Sequence, residues 1–363
     1  MPVALLTITG IVFLILLFAY LLSQRPALPI SYLPMDASKN YCTPAGWKGT
    51  PVDRKGRFLN HEYPFYQNYL KILQWLPSHL FNLIRNRNIS FDAIIHSNNE
   101  FLYQPNTLIW LGHASFYLNL NGVKVLIDPH FYNTSIYKRH TPPPITPELF
   151  TGINLILISH DHADHCDKKS LRLLLQKNPA AMVLSGSGME KLLRSCSKNP
   201  VKIITAEWYQ QYPLSGLPEI YFVPSRHYCK RIFERFNGKL WGGFVIKYTT
   251  GNEDDRTLYF GGDSGYGNHF KDIQALFKPD VAILGIGAYE PLWFMHPNHM
   301  SPRYAVKAFD ATGAVSMIPM HYGTFNLSNE NMHCPIAALQ QEAGNRHIIA
   351  LLAGEILPLA KTS

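Results

Sequence analysis

Asn154-Leu-Ile-Leu-Ile-Ser159, followed at once by His160-Asp161-His162-Ala163-Asp164-His165, is the stretch that decides the fold. An apolar run bounded by polar residues reads as a buried strand, which places three imidazoles and two carboxylates on the loop at its C-terminal end. Nitrogen and carboxylate donors at this density suit Zn²⁺ or a similar borderline divalent ion. His160 and His162, two apart in an extended loop, point the same way. Asp164 and His165 reach a second point nearby, so the spacing favours two metals over one. The competing reading is a solvated loop that merely holds histidines. With 16 histidines in 363 residues, three at these offsets rarely coincide by chance.

Further donors follow downstream, each after a strand pattern. Glu219-Ile-Tyr-Phe-Val-Pro224 leads to His227, Thr257-Leu-Tyr-Phe-Gly-Gly262 to Asp263, and Val315-Ser-Met-Ile-Pro-Met320 to His321. Taken singly, a histidine after a strand is more often structural, and an Asp before Ser-Gly is more often a turn residue. Together they form a constellation, because strand-end loops are where a rigid scaffold places chemistry.

The pattern resembles the metallo-β-lactamase superfamily, whose H-x-H-x-D-H loop stands here unbroken. The resemblance implies an α/β (α+β) fold, an αββα sandwich, with two zinc ions per chain. His160, His162 and His227 would hold the first, and Asp164, His165 and His321 the second, with Asp263 bridging. A bridged pair of cations activates a shared water near neutral pH and clamps both sides of the bond being cleaved. Asp161, the non-ligand of the motif, is expected to accept a hydrogen bond from a ligand histidine. Cys166 adjoins the ligands and reads as small buried filler. Blocks at Trp110-Leu-Gly-His-Ala-Ser115, Ile127-Asp-Pro-His-Phe131, Pro224-Ser-Arg-His-Tyr228, Gly262-Asp-Ser-Gly-Tyr266, Gly287-Ala-Tyr-Glu-Pro291 and Met320-His-Tyr-Gly-Thr324 resemble the N-acylphosphatidylethanolamine-hydrolysing phospholipase D group. Gly56-Arg-Phe-Leu-Asn60 resembles its lead-in segment. The activity implied is a phosphodiesterase of phospholipase D type, releasing N-acylethanolamine and phosphatidic acid. The alternative is a lactonase or another metal-dependent hydrolase of this fold acting on a non-lipid substrate.

Around that centre, Asp263 and His299 are the expected catalytic residues. His113 and Asp128 are expected to contact ligands or substrate, and Tyr266 and Glu290 to orient substrate. The Trp293-Phe294-Met295 cluster is expected to meet an acyl chain. Leu5 to Leu22 carries no charge and as a helix would span roughly 27 Å, close to a bilayer core. No Lys or Arg precedes it and no small-x-small cleavage pattern follows, so an uncleaved single-pass anchor is expected over residues 1–24. The positive charge after it points to a cytoplasm-facing catalytic part. Residues 25–100 read as an extension and helical lead-in, and residues 101–363 as the catalytic domain.

Composition excludes several classes. Net charge is +8 without a run of like charges, which suits an anionic lipid surface or a phosphate substrate. No basic-aromatic recognition module is present, so no nucleic-acid partner is expected, and a homodimer is compatible with the sequence. Five cysteines without CxxC spacing imply no disulfide framework. Residues 66–86 read as helical and interrupted at Pro77, packing onto the catalytic domain or lying on lipid. Strands are predicted at Thr107–Leu111, Ser115–Leu120 and Val123–Asp128, the last two joined by the Asn121-Gly122 turn. Helices are predicted over 167–177 with Asp167 as N-cap, 188–195, 302–311 and 335–343.

Overall fold

The computed structural model describes residues 30–62, 68–232, 234–250 and 255–359, together with Ile15. The expected anchor over residues 1–24 otherwise lies outside the described residues. Among those that are described, no helix is long and apolar enough to cross a membrane.

The chain enters through a small ribbon, β1 (Ser31–Tyr32) and β2 (Pro51–Val52). Helix α1 (Tyr69–Arg85) follows as one continuous element with Pro77 inside it, not the interrupted helix expected from sequence. Asn68 caps it by accepting from the amides of Leu70 and Lys71. The ladder bond that Pro77 removes would have fallen on the carbonyl of Leu73, an exposed residue.

The first large sheet is built from β3 (Thr107–Trp110), β4 (Phe116–Leu120), β5 (Val123–Ile127), β6 (Leu155–Ile158), β7 (Met182–Gly186) and β8 (Lys202–Ala206). Its early strands pair antiparallel and its later ones parallel. Asn121 and Gly122 both take positive φ, the conformation a two-residue hairpin turn requires, and Leu120 pairs with Val123 across it. The second sheet holds β9 (Gln210–Gln211), β10 (Glu219–Val223), β11 (Gly243–Thr249), β12 (Asp255–Phe260), β13 (Val281–Gly285) and β14 (Ser316–Met320). A last strand, β15 (Ile356–Pro358), returns to the free edge of β3.

Every residue of β3, β4 and β6 is buried, because each strand is covered on both faces. Leu108, Phe116, Val125 and Leu157 face the second sheet, in one core with Phe222, Phe244 and Phe260. Their neighbours Ile109, Tyr117, Leu126 and Ile156 face outward, where α2 (Lys168–Lys177) and α3 (Glu190–Arg194) cover them with Leu171, Leu174, Leu192 and Leu193. On the far side, α4 (His269–Phe277) packs against α6 (Pro302–Thr312), which lies on β13 and against α7 (Cys334–Glu342). One further turn, α5 (Leu292–Met295), stands between α4 and α6 in sequence. Helices outside two face-to-face sheets give the αββα sandwich that the resemblance implies. Val52 and Phe58, from the lead-in, belong to the core between the sheets.

Candidate metal centre

All four donors of the first motif stand where β6 ends, on the rim of the first sheet. His227, Asp263 and His321 follow β10, β12 and β14 of the second sheet, so the seven meet across the seam of the sandwich. The approach to Asp263 is tight. Gly262 takes φ +59°, and a Cβ there would meet the Gly242 carbonyl oxygen at 2.5 Å, so only glycine lets the chain turn this close to β11. His113, Asp128 and His321 also adopt positive φ, at 54°, 42° and 64°. Strain of about 1–3 kcal/mol per residue is tolerated where the surrounding structure fixes the backbone, which is common at functional sites.

Two groups of four donors, His160, His162, His227 with Asp263 and His113, Asp164, His165 with His321, are linked by a third group of Asp263, His299 and His321. Asp263 reaches both. Its Oδ2 lies 3.6 Å from His227 Nε2 and 3.2 Å from His165 Nε2, and its Oδ1 lies 3.1 Å from His321 Nε2. Asp164 Oδ2 lies 3.5 Å from His165 Nε2 and 3.6 Å from His321 Nε2. Donors about 3.4 Å apart form the edge of a tetrahedron around an ion with bonds of about 2.1 Å, so the spacing fits small divalent cations. The buried Nε2 atoms of His160, His165 and His321 and the Oδ1 of Asp263 have no hydrogen-bond partner. Orphaned donors and acceptors converging on one point are costly unless a cation satisfies them.

Outer partners aim these rings. Asp128 serves two histidines at once. His165 Nδ1 donates to its Oδ2 at 2.8 Å, and Ser159 Oγ donates to the same oxygen at 2.5 Å. That hydroxyl lies 2.9 Å from His160 Nδ1 and can accept its proton. Both histidines therefore turn Nε2 inward. His227 Nδ1 donates to the Asn298 carbonyl at 3.1 Å, and Asn60 of the lead-in brackets the His227 backbone with bonds of 2.9 and 3.1 Å. His113 Nε2 donates to Asp164 Oδ2 at 2.8 Å.

The electrostatics follow from burial and from the two carboxylates. Burial, then neighbouring imidazoles, holds His160 well below the usual histidine range. Burial also lowers His165 and His321, but Asp263 and Asp164 outweigh it, raising His165 well above its ordinary value and His321 to about 9. Despite burial, the surrounding histidines hold Asp263 and Asp164 well below the usual carboxylate range. Burial takes His299 down to about 4. Its Nδ1 lies 3.9 Å from Asp263 Oδ2, close to both groups.

Four expected neighbours take other places. Asp161 accepts from the Lys230 amide at 2.9 Å and from Lys239 Nζ at 3.0 Å, not from a ligand histidine. Tyr266 packs against Phe270 and Tyr304 beside the core. Glu290 sits by Glu330, whose carboxylate accepts from the Ala288 and Glu290 amides. Trp293 is 43% exposed, and its neighbours Phe294 and Met295 line the cavity instead. Cys166 is buried under α2, where burial pushes its thiol up and keeps it protonated.

The cavity, about 280 Å³, has His162, Asp164, Asp263 and His299 at its floor. Ile72 and Trp75 of α1, with Phe294, Met295 and Leu327, make its apolar wall. The expectation that residues 66–86 pack onto the domain is met through polar contacts. Trp75 Nε1 donates to Asn329 Oδ1 at 3.1 Å, and Asn82 Nδ2 donates to Asn326 Oδ1 at 3.0 Å. The sequence reading singles out none of Trp75, Tyr137 and Tyr228. A larger cavity, about 660 Å³, lies at the opposite ends of the strands by Asn121, Pro218 and Thr249. It borders none of the donor groups found among the described residues.

Comparison with known proteins agrees with this geometry. The Beta-lactamase superfamily domain matches residues 124–322, more than half of the chain, and the chain belongs to that superfamily. The class of protein that the fold and donor set define is the metal-dependent hydrolase. N-acyl-phosphatidylethanolamine-hydrolyzing phospholipase D 1 of Caenorhabditis elegans is 30% identical over 230 residues, covering 60% of this chain and 63% of the worm protein. The chain thus spans less than two thirds of that relative. A UPF0173 metal-dependent hydrolase of Caldivirga maquilingensis is 30% identical over 225 residues, covering 60% of this chain and 82% of its own length. Among solved structures, Igni18, a metallo hydrolase of Ignicoccus hospitalis, shares the fold with a TM-score of 0.52 at 21% identity, covering 69% of this chain and 97% of its own.

Proposed function

We propose that the chain is a dinuclear-zinc phosphodiesterase of phospholipase D type that cleaves N-acylphosphatidylethanolamine to N-acylethanolamine and phosphatidic acid. The observation that carries this reading is the pair of donor groups sharing Asp263 at the floor of an apolar-walled cavity. The worm relative's name supports the substrate class. Two zinc ions held by His160, His162 and His227 and by Asp164, His165 and His321, bridged by Asp263, would activate water and neutralise charge on the phosphodiester oxygens.

The chain's own residues supply the rest. Trp75, Phe294 and Met295 exclude water from one side of the cavity and offer an acyl chain a dry wall. Tyr137 and Tyr228 line the same space, and burial pushes both hydroxyls up, Tyr137 to about 12, so each remains a proton donor toward a substrate oxygen. His299 is neutral above about pH 4 and can pass a proton without carrying a standing charge beside Asp263.

The test is hydrolysis of N-acylphosphatidylethanolamine in ¹⁸O-labelled water, with products read by mass spectrometry. Attack at phosphorus puts the label in phosphatidic acid. Label in the N-acylethanolamine, or no lipid turnover beside good hydrolysis of a lactone, overturns the assignment in favour of another hydrolase of this fold.

A further inference from the structure

The Asp164 side of the donor cluster opens into a second cavity as well as the apolar one. It measures about 370 Å³, shares Tyr137 and Asp164 with the first, and is lined by Lys168, Lys230 and Arg231. Glu234 also borders it, but that carboxylate is ion-paired with Lys239. Asp164 is engaged by His113, His165 and His321. Among the described residues, Lys168, Lys230 and Arg231 form no ion pair, though Lys230 Nζ donates to the Glu234 carbonyl, so three positive charges border one hollow against two carboxylates that are already engaged elsewhere.

The basic lining is fixed to the donor loop. Arg231 Nε donates to the Asp161 carbonyl at 2.5 Å and its Nη2 to the Cys166 carbonyl. The Lys230 amide donates to Asp161 Oδ1, which explains why Asp161 turns away from the histidines. Two isoleucines on the bordering loops, Ile136 and Ile232, are 72% and 77% exposed. A rigid cationic hollow with apolar tips at its edge suits an anion attached to a lipid.

We propose that this cavity is an anion subsite that takes a phosphate group other than the one cleaved, the headgroup phosphate of an anionic phospholipid. The inference deepens the lipid reading of the neighbouring centre, yet its test needs no turnover. Full-length, metal-loaded protein in neutral detergent is titrated calorimetrically with dihexanoylphosphatidate and, separately, with inorganic phosphate. Phosphatidate fills two sites on the unaltered protein, one at the metals and one here. The Lys168→Ala/Lys230→Ala variant, at unchanged metal content, loses the second or weakens its Kd about tenfold or more. Lys168→Arg/Lys230→Arg keeps it. A second equivalent of inorganic phosphate as well supports the subsite and assigns it to free phosphate. A single phosphatidate site on the unaltered protein, or an alanine variant that titrates like it, overturns the proposal. Two bound equivalents without cleavage of N-acylphosphatidylethanolamine leave the subsite standing and sink only the substrate assignment.

Discussion

Asp263 is the residue on which both donor groups depend, since one carboxylate oxygen faces His165 and His227 and the other faces His321. Asp263→Asn keeps the shape but removes the charge that offsets two cations. Elemental analysis of the purified variant is expected to show both metals reduced. His321→Ala is expected to lower metal content by about one ion, because His160, His162 and His227 remain intact. Equal loss in the two variants would count against a bridging Asp263. At this scale much of the site is legible in the sequence, because four donors fall within six consecutive residues and the other three each follow an apolar strand. Asp161 is not legible. Its partners Lys230 and Lys239 lie 69 and 78 residues away, and only the folded loop brings them to it.

At the level of elements, the strands and the Asn121-Gly122 hairpin are fixed by local pattern, and Asp167 caps α2 through the Lys169 and Ser170 amides as expected. Helix α1 is different. Its residues read as a helix, but its place over the cavity depends on Asn326, Ser328 and Asn329, more than 240 positions on. Short α5 likewise turns Phe294 and Met295 inward and leaves Trp293 toward solvent, an outcome no periodicity in three consecutive apolar residues can reveal. Phe294→Ala is therefore expected to raise KM for long acyl chains more than for short ones. Each methylene that loses its buried contact forfeits at most about 0.8 kcal/mol. Trp293→Ala is expected to do less. A KM that rises uniformly with chain length unchanged in effect would remove Phe294 from the acyl path.

Over the whole molecule, burial of ionisable groups sets how the fold meets acid. His269 at the start of α4 is buried against Ser264, and burial, reinforced by the Arg226 guanidinium, lowers it from 6.5 to about 3. Between those values the unfolded chain binds a proton that the folded chain refuses. Its contribution is thus complete above about pH 6.5 and is lost as pH falls toward about 3. Thermal melts between pH 7 and 4 are expected to fall less steeply for His269→Gln, by on the order of a few kcal/mol at the acid end. Parallel curves would show that His269 does not govern this window. The N-terminal run from Leu5 to Leu22 belongs to the same scale. Deleting residues 1–24 removes none of the donor residues, so metal content should persist; if the run is an anchor, the full chain sediments with membranes and the truncated one does not. Retention on membranes in high salt would assign attachment to another surface.

Part of the dry wall, Ile72 and Trp75 of α1, comes from a different stretch of chain than the reacting centre, while Phe294 and Met295 come from the same one. The superfamily match spans residues 124–322, whereas α1 ends at Arg85 and is held in place largely by side-chain amides. Selectivity and reactivity can therefore drift independently. Exchanging that one amphipathic segment would reshape the α1 side of the entrance and leave every donor residue in place.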